Sequence, residues 1–332
     1  MSERNPYYSG PLSDHFDGTR FFLPGALPAA RAKGSLATFA DLRFSKERAR
    51  WPAHFPSPFA GAKPPARVAG LRVTLIGHAS FLIQTAGLNI LVDPVFATRA
   101  SPLPFLGPKR ANPPGVAMAD LPPIDAVLVT HNHYDHLDTR ALARIWRAYR
   151  PSFVAPLGND RTIRGRNRAM EVTVLDWHDR HALSADVAVT LVPAHHWSAR
   201  GLNDRRMALW GSFLLHTPAG LIYHIGDTGY GDGATFRAIR ARYGAPDLAI
   251  LPIGAYEPRW FMINAHMNPA DAVQARHDIG APVALGHHWG TFQLTHEAVQ
   301  QPELDLAAAR TAAGLPDDAF IAMRPGQSWE PR

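Results

Sequence analysis

Residues 131–138, His-Asn-His-Tyr-Asp-His-Leu-Asp, place three imidazoles and two carboxylates directly after Thr130 and the apolar run 126–129. Such groups crowd together at a strand end when a divalent cation partners them. Spacings of two and three cannot share one face of a 3.6-residue helix, so the three histidines belong on a loop that can aim several side chains inward. Two ligand sets become available there. His131 and His133 can hold one metal, and Asp135 and His136 a second beside it. The chemistry such a pair supports is hydrolysis, because two metals about 3.5–4 Å apart activate the water between them.

Four more positions have the same character. Asp93 follows the strand-like run 89–92, His196 the run 187–192, Asp227 the run 221–225 and His288 the run 283–286. A lone histidine beside a tryptophan, as in His196-Trp197 or His288-Trp289, is ordinarily a hydrogen-bonded core residue. Recurrence after strand upon strand, joined to the dense first motif, favours an active site along one edge of a sheet. The chain has no cysteine, so disulfides, thiolate ligands and thiol nucleophiles are excluded and every donor is nitrogen or oxygen. Imidazole with carboxylate suits Zn²⁺, with Fe, Mn or Co compatible. Asp93 and Asp138 are read as groups that orient imidazoles, although Asp93 before Pro94 could equally start a turn. His78, in Gly77-His78-Ala79-Ser80, is read as a packed residue beside the site rather than a ligand.

The elements that must position these residues follow from periodicity. Runs 72–76, 81–85, 89–92, 126–130, 152–155, 172–175, 187–192, 248–251 and 283–286 have strand character, and 209–216 with 221–225 forms a hairpin turning at Pro218-Ala219-Gly220. Helices are expected at 138–149, 234–243, 269–279, opened by Pro269, and 304–313. Each half of the chain runs strands first and then alternates strand with helix, which predicts an α/β (α+β) fold of two mixed sheets packed together with helices outside. Residues 1–66, rich in proline and aromatics, read as an irregular extension packed on a body spanning 67–332.

The 332 residues remain compatible with one large domain, and 46% hydrophobic content fills a sizeable core. The formal charge of +6, mostly from arginine, reads first as a solvated basic surface and otherwise as affinity for an anionic substrate or membrane. No nucleic-acid partner is expected. Residues 1–6 lack the apolar core of a secretory signal and no apolar run is long enough to span a bilayer, so the expected location is cytoplasmic or peripheral to a membrane.

The HxHxDH pattern of residues 131–136 is that of the metallo-β-lactamase fold. Further strings carry a narrower resemblance: Arg99-Ala100-Ser101-Pro102, Gly107-Pro108-Lys109-Arg110, Leu121-Pro122-Pro123-Ile124-Asp125-Ala126-Val127, Leu209-Trp210-Gly211-Ser212 and Gly226-Asp227-Thr228-Gly229-Tyr230. The longest runs from Pro252 to Met262, and His288-Trp289-Gly290-Thr291-Phe292 follows it. Over residues from about 70 to 293 the chain resembles the N-acylphosphatidylethanolamine-hydrolysing phospholipase D family. The resemblance implies an αββα sandwich and two Zn²⁺. It assigns His131, His133 and His196 to one ion, Asp135, His136 and His288 to the other, and Asp227 as the bridge. It also places Tyr134 and His266 near the substrate phosphate. Ala265 departs from the family, where a glutamine is expected, and His195 and His287 are extra imidazoles beside ligands.

The implied reaction is phosphodiester hydrolysis by a metal-bridging hydroxide, with Asp135 and Asp227 as the catalytic carboxylates and N-acylethanolamine and phosphatidic acid as products. A metal-dependent lactonase similar to L-ascorbate-6-phosphate lactonase is the rival reading, and a binding protein on an inactive hydrolase scaffold is a third. In the loop with Tyr256, Glu257, Arg259 and Trp260 the arginine could bind a phosphate, and the structural reading, an Arg259–Glu257 pair with Trp260 in the core, has at least equal standing. A homodimer and a membrane contact through the N-terminal extension are both compatible with the sequence.

Overall fold

The computed structural model describes residues 5–25 and 45–331. The first sheet contains β1 (Leu71–Gly77), β2 (Ser80–Thr85), β3 (Leu88–Val92), β4 (Ala126–Leu128), β5 (Ser152–Pro156) and β6 (Val172–Leu175). The second contains β7 (Arg180–Ala182), β8 (Ala188–Val192), β9 (Ser212–Thr217), β10 (Gly220–His224), β11 (Leu248–Pro252), β12 (Val283–His287) and β13 (Phe320–Ala322). The last strand, β14 (Ser328–Trp329), returns to the edge of the first sheet beside β1. Each sheet has seven strands, in sequential order apart from β14, and passes from antiparallel pairing to parallel pairing, at β3–β4 in one and β10–β11 in the other.

Period-two alternation explains why the sheets stack. Phe81, Ile83, Ile90, Val92 and Leu128 from the first sheet meet Val189, Leu191, Phe213, Leu215 and Ile250 from the second in one central core. The alternate residues face outward. Leu82, Leu91 and Val127 pack beneath helix Thr139–Tyr149 through Leu142 and Ile145. Leu214, Tyr223 and Ala249 pack beneath helices Ala234–Tyr243 and Pro269–Ile279 through Phe236, Ile239 and Ala272. The result is the four-layer αββα sandwich.

Helix boundaries have local causes. Asp138 caps helix Thr139–Tyr149 by accepting from the backbone N–H groups of Arg140 and Ala141. Asn268 and Asp271 form a capping box at helix Pro269–Ile279. The last long helix spans Gln301–Ala312, so it starts three residues before the run read from sequence. The turn of the β9–β10 hairpin is the two residues Pro218-Ala219, because Gly220 already pairs with Thr217. The run at 209–211 is not strand. Leu209 N–H donates to Leu157 O and Gly211 N–H to Thr130 O, so these residues stitch the two sheets rather than extend β9. The short helices Asn159–Arg164 and Arg259–Met262 and the edge strands β7, β13 and β14 have no counterpart in the sequence reading.

Segments 5–25 and 45–66 carry no helix or multi-residue strand. Phe16 and Phe21 nonetheless lie in the central core, Asn5 donates to Thr19 O and Met207 O, and Trp51 Nε1 donates to Glu297 O. The rest of the expected 1–66 extension, residues 1–4 and 26–44, lies outside the described residues. Among the described residues, no helix is long and apolar enough to cross a membrane.

Candidate metal centre

Every candidate ligand leaves the sandwich at the same edge, where strand ends turn. His78 sits in the β1–β2 turn, Asp93 after β3, His131–His136 after β4, His196 after β8, Asp227 after β10 and His288 after β12. His78, Asp93 and His288 have positive φ (56°, 44° and 67°), a conformation non-glycine residues rarely adopt. The surrounding contacts hold these turns in place.

Among the described residues, two clusters of four donors form, each with ligand atoms within 4.8 Å of one another: His131, His133, His196 and Asp227, and His78, Asp135, His136 and His288; the triads Asp93, His131, His136 and Asp227, His266, His288 overlap them. In the first, His133 Nδ1 lies 2.9 Å from His131 Nε2 and 3.2 Å from His196 Nε2. In the second, His288 Nε2 lies 3.4 Å and His78 Nε2 3.1 Å from Asp135 Oδ2. Asp227 is the shared wall. Its carboxylate approaches His288 at 3.1 Å, His136 at 3.2 Å, His196 at 3.5 Å and His131 at 3.8 Å.

The donor set fits divalent cations on two counts. The inward atoms His136 Nε2, His288 Nε2 and Asp227 Oδ1 are buried and lack an aligned hydrogen-bond partner, as expected of donors aimed at a common point. Three of the outward ring nitrogens are engaged instead, while His133 Nε2 and His288 Nδ1 have no partner. His136 Nδ1 lies 2.7 Å from Asp93 Oδ2, His131 Nδ1 3.0 Å from Thr130 Oγ1 and His196 Nδ1 3.1 Å from Ala265 O. Such outer partners fix the tautomer and turn the lone pair of the other nitrogen inward.

The electrostatics show neutral imidazoles in one cluster and a demand for positive charge in the other. Burial, reinforced by neighbouring imidazoles, pulls His131 well below the usual histidine range, and burial pulls His133 down to about 4. His196 falls well below its usual range for the same first cause, so all three are neutral. Burial also opposes charge on His136 and His288, but Asp227 and Asp135 outweigh it. His136 rises well above the usual range and His288 to about 9. Burial would raise Asp227 and Asp135, yet the adjoining imidazoles hold both well below the ordinary carboxylate range. The two buried carboxylates therefore stay anionic and demand positive charge beside them.

The remaining sequence candidates divide clearly. Asp93 accepts from Thr130 N–H (2.7 Å), Thr130 Oγ1–H (2.5 Å) and His136, so it orients a donor of the site as well as shaping a turn. Asp138 caps its helix and accepts from Phe96 and Ala97 N–H; it touches no imidazole. His195 turns away to Thr235 Oγ1 (2.8 Å), and His287 to Ile225 O (2.8 Å). His266 stands against both clusters, 5.1 Å ring to ring from His196 and 5.5 Å from His288, with burial pulling it down to about 4. The Tyr134 hydroxyl donates to Arg200 O (3.1 Å). The Arg259–Glu257 side-chain pair is replaced by Arg259–Asp271 (2.6 Å), and Trp260 is 65% exposed rather than core, because the short helix Arg259–Met262 projects from the edge.

Two residues enter that the sequence did not single out for these roles. His78 joins the second cluster twice: its ring meets Asp135, and its carbonyl accepts from His288 N–H (3.0 Å). Arg200 ties the histidine loop shut. Its guanidinium donates to Asn132 O (2.9 Å) and Leu137 O (2.8 Å) and stacks on Tyr134. Only the Gly-His turn signal pointed to His78, and nothing local marks Arg200.

Residues 88–289 match the family model described as beta-lactamase superfamily domain. The chain is 36% identical over 272 residues to N-acyl-phosphatidylethanolamine-hydrolyzing phospholipase D 1 of Caenorhabditis elegans, covering 79% of this chain and 76% of that protein. It is 34% identical to the mitochondrial enzyme of the same name from Saccharomyces cerevisiae, covering 74% of this chain and 53% of that one. Among solved structures, the metallo hydrolase Igni18 from Ignicoccus hospitalis superposes with a TM-score of 0.57 at 20% identity, over 79% of this chain and 99% of that one, a likeness of fold.

Proposed function

The chain belongs to the beta-lactamase superfamily of metal-dependent hydrolases, and from that premise we propose that it is a binuclear zinc phosphodiesterase acting on N-acylphosphatidylethanolamine-type phospholipids. The observation that carries the binuclear reading is the pair of donor clusters meeting at Asp227. The substrate class rests on the likeness to the worm and yeast phospholipases.

In this reading His131, His133 and His196 would hold one ion and Asp135, His136 and His288 the other, with the Asp227 carboxylate available to both. Bound there, the metals supply an activated water at neutral pH and Lewis-acid stabilisation of the phosphoryl oxygens. The protein supplies the rest. Asp93, Thr130 and the Ala265 carbonyl fix the imidazoles, so the donor geometry is set before substrate arrives. The Asp135 carboxylate orients the attacking water. His266 is neutral and its ring stands against both clusters, which supports a hydrogen bond from it to a phosphate oxygen. Tyr134 would contact substrate by turning its hydroxyl proton from Arg200 O to a phosphate oxygen. The phosphorus–oxygen bond to the ethanolamine breaks, the leaving oxygen takes a proton from water, and phosphatidic acid remains. No protein nucleophile takes part.

The test is metal content together with a substrate panel on the purified chain. Two equivalents of zinc, release of N-acylethanolamine from the phospholipid and loss of turnover on chelation are expected. Turnover of a sugar lactone without release from N-acylphosphatidylethanolamine would refute the phospholipid reading in favour of a lactonase. Active protein carrying a single metal would refute the binuclear one.

A further inference from the structure

Ten large hydrophobic side chains are exposed among the described residues, and six of them lie on three segments that border the metal centre: Leu103, Phe105, Leu106, Leu202, Trp260 and Ile263. The first segment is a finger. Arg99 and Lys109 pair across its base, Ala100 N–H donates to Pro108 O, and Leu103 (42% exposed), Phe105 (74%) and Leu106 (61%) occupy its tip. Its root is pinned to the site, because Phe96 and Ala97 donate to Asp138 and Arg110 pairs with Phe292. The second segment carries Leu202, fully exposed two residues beyond the Arg200 that clamps the histidine loop. The third is helix Arg259–Met262 with Ile263, directly before the Ala265 carbonyl that orients His196.

Charge selects the occupant. Lys109, Arg205 and Arg206 are exposed on the first two segments. The finger and the third segment hold no acidic residue, and the one carboxylate of the second, Asp204, is taken by Tyr7 OH and by the Arg200 and Gly201 N–H groups. Apolar tips flanked by unopposed cations match the boundary between acyl chains and anionic headgroups.

We infer that the three tips form a rim that seats the entrance of the metal centre on an anionic phospholipid bilayer. The inference deepens the phospholipid reading and rests on it for its purpose: the scissile phosphodiester of a bilayer lipid lies at the headgroup level, where a rim-docked site would meet it.

The test uses full-length, metal-loaded protein and vesicles of phosphatidylcholine with phosphatidylglycerol. The tip side chains are solvent-exposed, so the triple variant Leu103→Ser, Phe105→Ser, Leu106→Ser should fold and keep its metal. Sedimentation should show vesicle affinity falling by about tenfold or more, with turnover of the water-soluble bis(p-nitrophenyl) phosphate unchanged. Trp260 fluorescence, followed as the vesicle-induced difference between wild type and Trp260→Phe, should shift to the blue. Equal vesicle affinity of wild type and triple variant overturns the inference. So does a wild-type dimer that the triple variant dissociates, which would make the rim a contact between two copies. Vesicle binding lost in the triple variant, in a protein that releases nothing from N-acylphosphatidylethanolamine, supports the rim and overturns the substrate reading alone.

Discussion

Replacing Asp93 by asparagine isolates the role of a single buried carboxylate. Three donors face it: Thr130 N–H on Oδ1, and Thr130 Oγ1–H and the His136 ring on Oδ2. Burial raises its pKa, but three converging donors fix it as an acceptor. Asparagine tolerates the positive φ of 44° at this position, so the backbone should not move. Its amide cannot satisfy the same set. If the oxygen serves Thr130 N–H, the NH₂ faces His136 Nδ1. The ring must then carry its proton on Nε2, the atom that meets Asp227 at 3.2 Å, and its inward lone pair is lost. If the amide flips, its NH₂ opposes Thr130 N–H and leaves a buried donor unmet. Loss of such an outer partner weakens metal binding roughly 10–100-fold, or about 1.4–2.8 kcal/mol. Zinc titration against a chromophoric chelator should show one tight site retained and one weakened. Unchanged affinity at both sites would refute the orienting role and leave Asp93 as a turn residue. Equal weakening at both would refute its assignment to His136.

Asp227→Ala should abolish hydrolysis and lower zinc stoichiometry, because one carboxylate serves both clusters; retained turnover would contradict its bridging role. His78→Asn keeps a residue that tolerates positive φ but falls short of Asp135. It should weaken the His136–His288 site by about tenfold, with partial recovery in His78→Gln, both read by the same titration. A Cβ at Gly254 would stand 2.2 Å from the His288 carbonyl oxygen, an immovable backbone atom. Gly254→Ala should therefore lower stability by about 1–3 kcal/mol and displace His288, seen as a lower Tm together with reduced metal content; an unchanged Tm would mean the backbone yields there.

Much of the frame was legible in the sequence because burial imposes periodicity. The strands β6 (Val172–Leu175) and helices Ala234–Tyr243 and Pro269–Ile279 match the expected bounds, each carrying a clear apolar pattern or cap. What was illegible has definite causes. Arg180-His181-Ala182 and Ser328-Trp329 become strands only because a sheet edge is there to receive them. Leu209 and Trp210 look like strand because they are buried, but Trp210 is buried to bond Ala194 O across the core, not to pair in a sheet. The run at 126–130 ends early because Val129 N–H makes the last ladder bond to β5, at Val154 O, and Thr130 N–H turns to Asp93.

The site divides along the same line. Seven of the eight side chains that meet in the two clusters could be listed from sequence because each lies beyond a strand whose apolar run announces it; His78 is the eighth. Their arrangement could not, since it is made by partners far away in the chain. His78 reaches Asp135 across 57 residues, Arg200 reaches Asn132 across 68, and Ala265 O reaches His196 across 69. Left-handed backbone at His78, Asp93 and His288 is equally invisible in a string of letters, yet each such residue costs about 1–3 kcal/mol of local strain. That strain is spread over three different strand exits, and the contacts opposing it converge on one carboxylate–imidazole cluster. Asp93 serves His136, His78 holds both Asp135 and the backbone of His288, and Asp227 meets four imidazoles. A set so cross-tied should respond as a unit, so the effects of substituting Asp93 and His78 together should depart from the sum of the single effects.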